Sequence, residues 1–131
     1  MFQRFTPSTK EAPPDYFKTT SLAQRITDFD RVTKAFPDKY PIIVIGEDPL
    51  IQLDKAKYMV MKTMTFGEFS VHLRKRLQLT PDMALFYFVG RYKKCVHHSQ
   101  TIGELANEYA NLDDKFLTVY FRGESAFGSI K

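Results

Sequence analysis

The sequence predicts an α+β domain in which a four- to five-strand mixed sheet grips one long helix. Three observations carry that prediction. A Ser or Thr followed three residues later by Gln or Glu recurs at Ser21/Gln24, Thr65/Glu68 and Thr101/Glu104, each time at the head of an apolar helical stripe. Between and after these helix starts lie β-branched or aromatic runs at 41–45, 58–62, 84–89 and 115–121. Their order is helix, strand pair, helix, strand, a further short strand, helix, strand. An antiparallel strand pair followed by a helix and returning strands is the β-grasp arrangement.

Taken in order, residues 1–14 read as a leader punctuated by Pro7, Pro13 and Pro14. Residues 15–37 form an N-terminal helical extension, with Leu22, Ile26, Phe29, Val32 or Thr33, and Phe36 at helical intervals and Pro37-Asp38 as the stop. Pro41–Ile45 is a strand stopped by the Gly46–Pro49 turn, and Tyr58–Lys62 is its antiparallel return. The next helix buries Phe66, Phe69, Leu73 and Leu77 and gathers Arg74, Lys75 and Arg76 in its last turns, where cations suit the helix dipole. Ala84–Val89 is a strand, Gly90 opens a polar loop through Ser99, and Ile102, Leu105 and Tyr109 face inward on a short helix. Lys115–Phe121 is the last strand. The domain therefore spans 15–121, and residues 122–131 form a small, polar tail.

The composition bounds function. At 131 residues the chain has the size of one domain, and 44% hydrophobic with 26% charged residues suits a packed core. Apolar runs fall far short of the ~20 residues that span a bilayer. No secretory signal is legible, and the single cysteine, Cys95, points to a reducing, cytoplasmic setting. Net charge is +4. Residues 1–65 hold ten Lys/Arg against eight Asp/Glu and residues 66–131 nine against seven, so each half carries +2 and neither holds a basic arm. Arg74-Lys75-Arg76 lacks any accompanying nucleic-acid signature, so nucleic acid is not an expected partner. A monomer is expected.

Candidate reactive groups are few. Cys95-Val-His97-His98 is the one nucleophile-plus-base cluster, but it lacks a third, orienting group. Cys95, His97 and His98 have no second ligand pair for zinc, and His72 stands apart on a helix. Asp113-Asp114 suits a turn better than an acid/base dyad. No catalytic residue, metal or cofactor is assigned. At the tail, Phe127-Gly128 offers a residue without a Cβ, suited to a chain that threads an enzyme channel and presents an unhindered carboxylate. Alone, that dipeptide is a weak motif.

Several blocks in order carry a resemblance. They are Phe36-Pro-Asp-Lys-Tyr-Pro-Ile-Ile-Val44, Leu53-Asp-Lys-Ala-Lys-Tyr-Met-Val60, Thr65-Phe-Gly-Glu-Phe69, Arg74-Lys-Arg-Leu77, Ala84-Leu-Phe-Tyr-Phe-Val89 and Phe116-Leu-Thr-Val-Tyr120. With the Phe-Gly tail, they resemble the autophagy ubiquitin-like modifiers, the family of the GABA-A-receptor-associated protein and microtubule-associated protein light chain three. The match runs from about Tyr16 to Gly128 and implies a ubiquitin-like β-grasp.

The resemblance implies a non-enzymatic role. A processing cysteine protease would cut between Gly128 and Ser129. Activating and conjugating enzymes of the autophagy pathway would then join the Gly128 carboxylate to phosphatidylethanolamine, moving a cytoplasmic protein to the autophagosome, vacuole or lysosome membrane. It also implies recruitment of cargo receptors through aromatic-x-x-aliphatic motifs at the Tyr58–Lys62 edge. The aromatic pocket would comprise Asp28, Val32, Pro41, Ile43, Lys57, Met59 and Phe116. The aliphatic pocket would comprise Tyr58, Val60, Met61, Met64, Phe69 and Leu73, with Lys39, Lys55 and Arg76 meeting flanking acids. The alternative is a ubiquitin-like module that binds peptides or tubulin and is never lipidated. Asp28, Met59, Met61 and His72 stand where the family usually has Glu, Leu, Pro and an aliphatic residue. The Arg91–Ser99 loop lacks the family's Pro-Pro and is basic, and the leader before Tyr16 is longer than usual.

Overall fold

The computed structural model describes residues 16–48, 51, 53, 55–77 and 79–125. The elements in chain order are α1 (Tyr16–Thr19), α2 (Leu22–Ala35), β1 (Lys39–Gly46), β2 (Lys57–Met61), α3 (Phe66–Leu77), β3 (Met83–Val89), α4 (Ile102–Tyr109) and β4 (Leu117–Ser125). The leader 1–14, residue 15 and tail residues 126–131, which include Gly128 and Ser129, lie outside the described residues.

The sheet order is β2-β1-β4-β3, with β1 antiparallel to β2 but parallel to β4, and β3 antiparallel to β4. The fold is ubiquitin-like: a four-strand mixed sheet with helices on its faces. The short further strand expected after Val89 is a single bridge, Val89 to Lys94, following Gly90 at φ +78°.

Thr65/Glu68 and Thr101/Glu104 form complete capping boxes, each hydroxyl accepting from the Glu N–H and each Glu carboxylate accepting from the Thr N–H. Ser21 forms half of one. Its Oγ accepts from the Gln24 N–H, while the Gln24 amide reaches on to Asp28.

Residue alternation along the strands builds a core on each face. On one face Ile42, Val44, Val60, Leu117, Val119 and Phe121 pack against Phe66, Phe69, Leu73 and Leu77 of α3 and Ile102 and Leu105 of α4. The other face holds a smaller cluster of Tyr16, Ile43 and Phe116, with Phe17, Phe29 and Ile45 partly buried around it.

Three readings change. The α2 stripe is not the buried one: Leu22, Ile26 and Phe36 are exposed, and the buried residue of that helix is Arg25. Its Nε donates to Asp114 Oδ2 at 2.8 Å, and its Nη1 donates to the Thr20 carbonyl at 2.6 Å. Asp114 is accordingly not a plain turn residue. It is buried and accepts from the Asn111 amide and the Phe116 N–H as well. Finally, the last strand continues past Phe121 to Ser125, because β3 supplies a partner as far as Met83↔Ser125. Gly123 belongs to that extension. A Cβ there would lie 2.1 Å from Ile51 Cδ1, so the Ile51 side chain lies directly over the strand.

Candidate functional site

The edge of the sheet at β2 is built from the hydrogen-bond phase of the β1–β2 ladder. Lys62 N–H donates to the Asp38 carbonyl at 3.0 Å and Val44 N–H to the Ala56 carbonyl at 2.8 Å. Positions 56, 58, 60 and 62 therefore turn their backbone groups inward to β1, and Lys57, Met59 and Met61 turn theirs outward. The Met61 carbonyl is taken by the Met64 N–H at 3.0 Å. Among the described residues no strand lies beyond β2. An extended chain could add there through Lys57 and Met59.

Pro41 fits this ladder. It pairs with Met59, and its missing N–H falls on the β4 side, where pairing begins only at Ile42↔Leu117. The two carbonyls next in line are already engaged, that of Lys115 by the Tyr40 hydroxyl and that of Phe116 by the Asn111 N–H.

A concavity lies on each side of the edge strand. On the α2 side, one of about 160 Å³ is lined by Asp28, Arg31, Val32, Pro41, Lys57, Tyr58, Met59 and Phe116. Asp28 Oδ2 accepts from the Tyr16 hydroxyl at 2.6 Å, and its Oδ1 accepts from the Gln24 amide at 2.9 Å and faces Arg31 Nη2 at 3.5 Å. Burial works against its charge, but the hydrogen bonds from Tyr16 and Gln24 and the Lys57 charge outweigh it and hold the Asp28 carboxyl below the usual range. Burial and Asp28 itself push the Tyr16 phenol far up, keeping it a donor. Lys57 Nζ lies 4.7 Å over the Tyr16 ring.

On the α3 side, a concavity of about 240 Å³ is lined by Lys39, Lys55, Tyr58, Met59, Val60, Met61, Met64, Phe69, His72, Leu73 and Arg76. Phe69 and Leu73 come from the buried stripe of α3, and the methionines supply adaptable apolar walls. The cations ring the mouth. Lys55 Nζ and the Arg76 guanidinium stand 5.0 and 5.7 Å from the Tyr58 ring, and Lys39 Nζ is 5.4 Å from that of Phe36.

The structure thus brings together six of the seven residues assigned to the aromatic pocket. The seventh, Ile43, is fully buried beneath it, against Tyr16 and Phe116. All six aliphatic-pocket residues and the three cations share the α3-side concavity. Arg31 and His72, which sequence reasoning left out, line the two concavities. Their helical spacing from Asp28 and Phe69 (i, i+3) was the available signal.

The family model described as "Autophagy protein Atg8 ubiquitin like" matches residues 24–128. The chain belongs to the Atg8 family. It is 32% identical over 111 residues to autophagy-related protein 8a of Arabidopsis thaliana, covering 83% of this chain and 88% of the relative. To autophagy-related protein 8 of Schizosaccharomyces pombe it is 29% identical over 112 residues, covering 84% and 90%. A crystal structure of Trypanosoma brucei ATG8 superposes with a TM-score of 0.74 at 30% identity, covering 88% of this chain and 99% of that one.

Elsewhere on this Atg8-family chain, Cys95 is exposed. The His97 N–H donates to Gln100, and the His98 ring stacks edge-on against Phe66 and Tyr87. Among the described residues no three His, Cys, Asp or Glu side chains group as metal ligands, and no helix is long and apolar enough to cross a membrane.

Proposed function

We propose that this chain is a ubiquitin-like autophagy modifier, processed after Gly128, joined through that glycine to phosphatidylethanolamine, and active in autophagosome formation and cargo-receptor recruitment. The observation that carries the recruitment half is the pair of concavities on opposite sides of one open strand edge. Along an extended peptide, side chains three apart point to opposite faces, because three is odd and the strand period is two. An aromatic and an aliphatic residue at that spacing can therefore enter the α2-side and α3-side concavities together. Main-chain bonds to Lys57 and Met59 would supply affinity, and Lys39, Lys55 and Arg76 would attract flanking acids.

Family membership supports the conjugation half, and the matched region ends on Gly128. In the proposed cycle a cysteine protease removes Ser129-Ile-Lys131. Partner enzymes activate the new carboxylate and transfer it to the lipid amine. The two acyl chains, at ~0.8 kcal/mol per buried CH₂, then hold the protein on the membrane. This chain supplies the acyl group, and the catalytic residues belong to its partners.

The test is intact-mass measurement after incubation with conjugation enzymes and phosphatidylethanolamine. Wild type should gain one lipid, and Gly128→Ala should gain none. An unmodified wild type would leave a peptide-binding module without lipidation, and an equally modified variant would overturn Gly128 as the conjugation site.

A further inference from the structure

The tail itself contains the pattern that the groove is proposed to bind. Phe127-Gly-Ser-Ile130 is an aromatic and an aliphatic residue three apart, with the exposed Glu124 three residues upstream. We propose that this uncleaved segment of one molecule occupies the β2 groove of a second copy, and that cleavage after Gly128 ends the contact. The inference rests on the peptide-groove reading above.

Odd spacing sends Phe127 and Ile130 to opposite faces of an extended segment, as the two concavities require. Glu124 is the acid that Lys39, Lys55 and Arg76 at the groove mouth would meet. The contact must be between molecules. Tyr58 and Leu117 are both level with Ile42 across the sheet. From Leu117 the chain runs away along β4 to Ser125, roughly 26 Å at strand rise, while two further residues can return Phe127 by only roughly 7 Å. The chain's own groove is also about two strand spacings, roughly 10 Å, to the side.

Hydrolysis of the Gly128–Ser129 bond, with water completing the Gly128 carboxylate and the Ser129 amine, places the two anchors on separate products. Neither product then holds both pockets. Processing would thus free the groove for cargo in the same step that exposes the conjugation site.

Two measurements on the protein decide the matter. In sedimentation velocity over about a hundredfold range of concentration, the full chain should self-associate. The chain ending at Gly128 should not, and Ile130→Ala should weaken association by about tenfold or more through loss of one buried aliphatic side chain. These changes lie beyond β4, so the described fold is untouched. A full chain that stays monomeric, or one that associates equally well without Ser129–Lys131, overturns the proposal. In the second measurement, a synthetic peptide of residues 122–131 and an acidic reference peptide with Trp-x-x-Leu are titrated separately into the isotope-labelled chain ending at Gly128, followed by amide shifts. Both should perturb Lys57–Met61, Phe69 and Leu73. If only the reference peptide does, self-docking fails and the groove reading stands. If neither does, both fail.

Discussion

Among the described residues, fifteen buried apolar residues form one continuous cluster on the α3 side of the sheet, whereas on the α2 side three do, and a buried ion pair stands beside them. The first face is held mainly by apolar area removed from water, a driving force that has no preferred direction. The second is held by specific partners. Arg25 ties the start of α2 to Asp114, Asp114 ties Asn111 and Phe116, and Tyr16 ties α1 to Asp28. Asp114 is fully enclosed, so its charge is tolerable only while Arg25 and the N–H donors remain. Each face carries one of the two concavities, and they inherit this difference. The α3-side walls are methionines and core leucine, while the α2-side concavity is bordered by a carboxylate with three polar neighbours.

Removing Phe66, which is fully buried on the apolar face, should have the largest effect. Phe66→Ala is expected to cost about 3–5 kcal/mol in denaturant unfolding, through lost transfer energy and the cavity left behind. Asp114→Ala comes next, at about 3 kcal/mol, because it strands the Arg25 guanidinium in a buried site. A double-mutant cycle with Arg25→Met should show coupling, since the second change removes the stranded charge. Additive losses would mean that the polar face is held by packing after all, and the contrast between faces would collapse.

The smallest effect concerns pH. The Asp28 carboxyl is held below its ordinary value in the folded protein, so the unfolded chain binds its proton first as pH falls. Its contribution is complete above the ordinary carboxylate range and disappears as pH drops through the lowered value. Asp28→Asn should therefore lower stability at neutral pH by less than about 1 kcal/mol, given partial solvent screening, and converge with wild type in acid. Thermal melts at several pH values check this. A variant that differs from wild type equally at all pH values would show the Tyr16 and Gln24 contacts to be worth the same without the charge.

Much of the architecture was legible because local signals agreed with the tertiary outcome. The Thr65 and Thr101 caps, the Phe66–Leu77 stripe and the β-branched Pro41–Ile45 run each have a cause confined to a few residues. The α2 face was misread for a physical reason. Leu22 and Ile26 have the period of a buried stripe, but the partner of that helix end is a carboxylate 89 residues away, which periodicity does not register. The same holds for Asp114, whose turn-like neighbours hid its long-range role. The strand limit at Phe121 was set too early because Arg122-Gly-Glu-Ser reads as a loop in isolation, and only pairing with β3 makes it a strand. At the groove, family resemblance supplied the residue set. Ile43 shows its limit, since a position in β1 can belong to a site by proximity and still be sealed beneath it.

Pro41 has a further consequence. A residue with an N–H at this point could extend the β1–β4 ladder by another rung, donating to the Lys115 carbonyl that the Tyr40 hydroxyl now holds. Because proline cannot donate, the ladder unzips there, and below that point β1 has only β2 beside it. Phe116 is thereby left outside the sheet, and its ring, packed edge-on against Tyr16 and Phe29, joins Pro41 itself in lining the α2-side concavity.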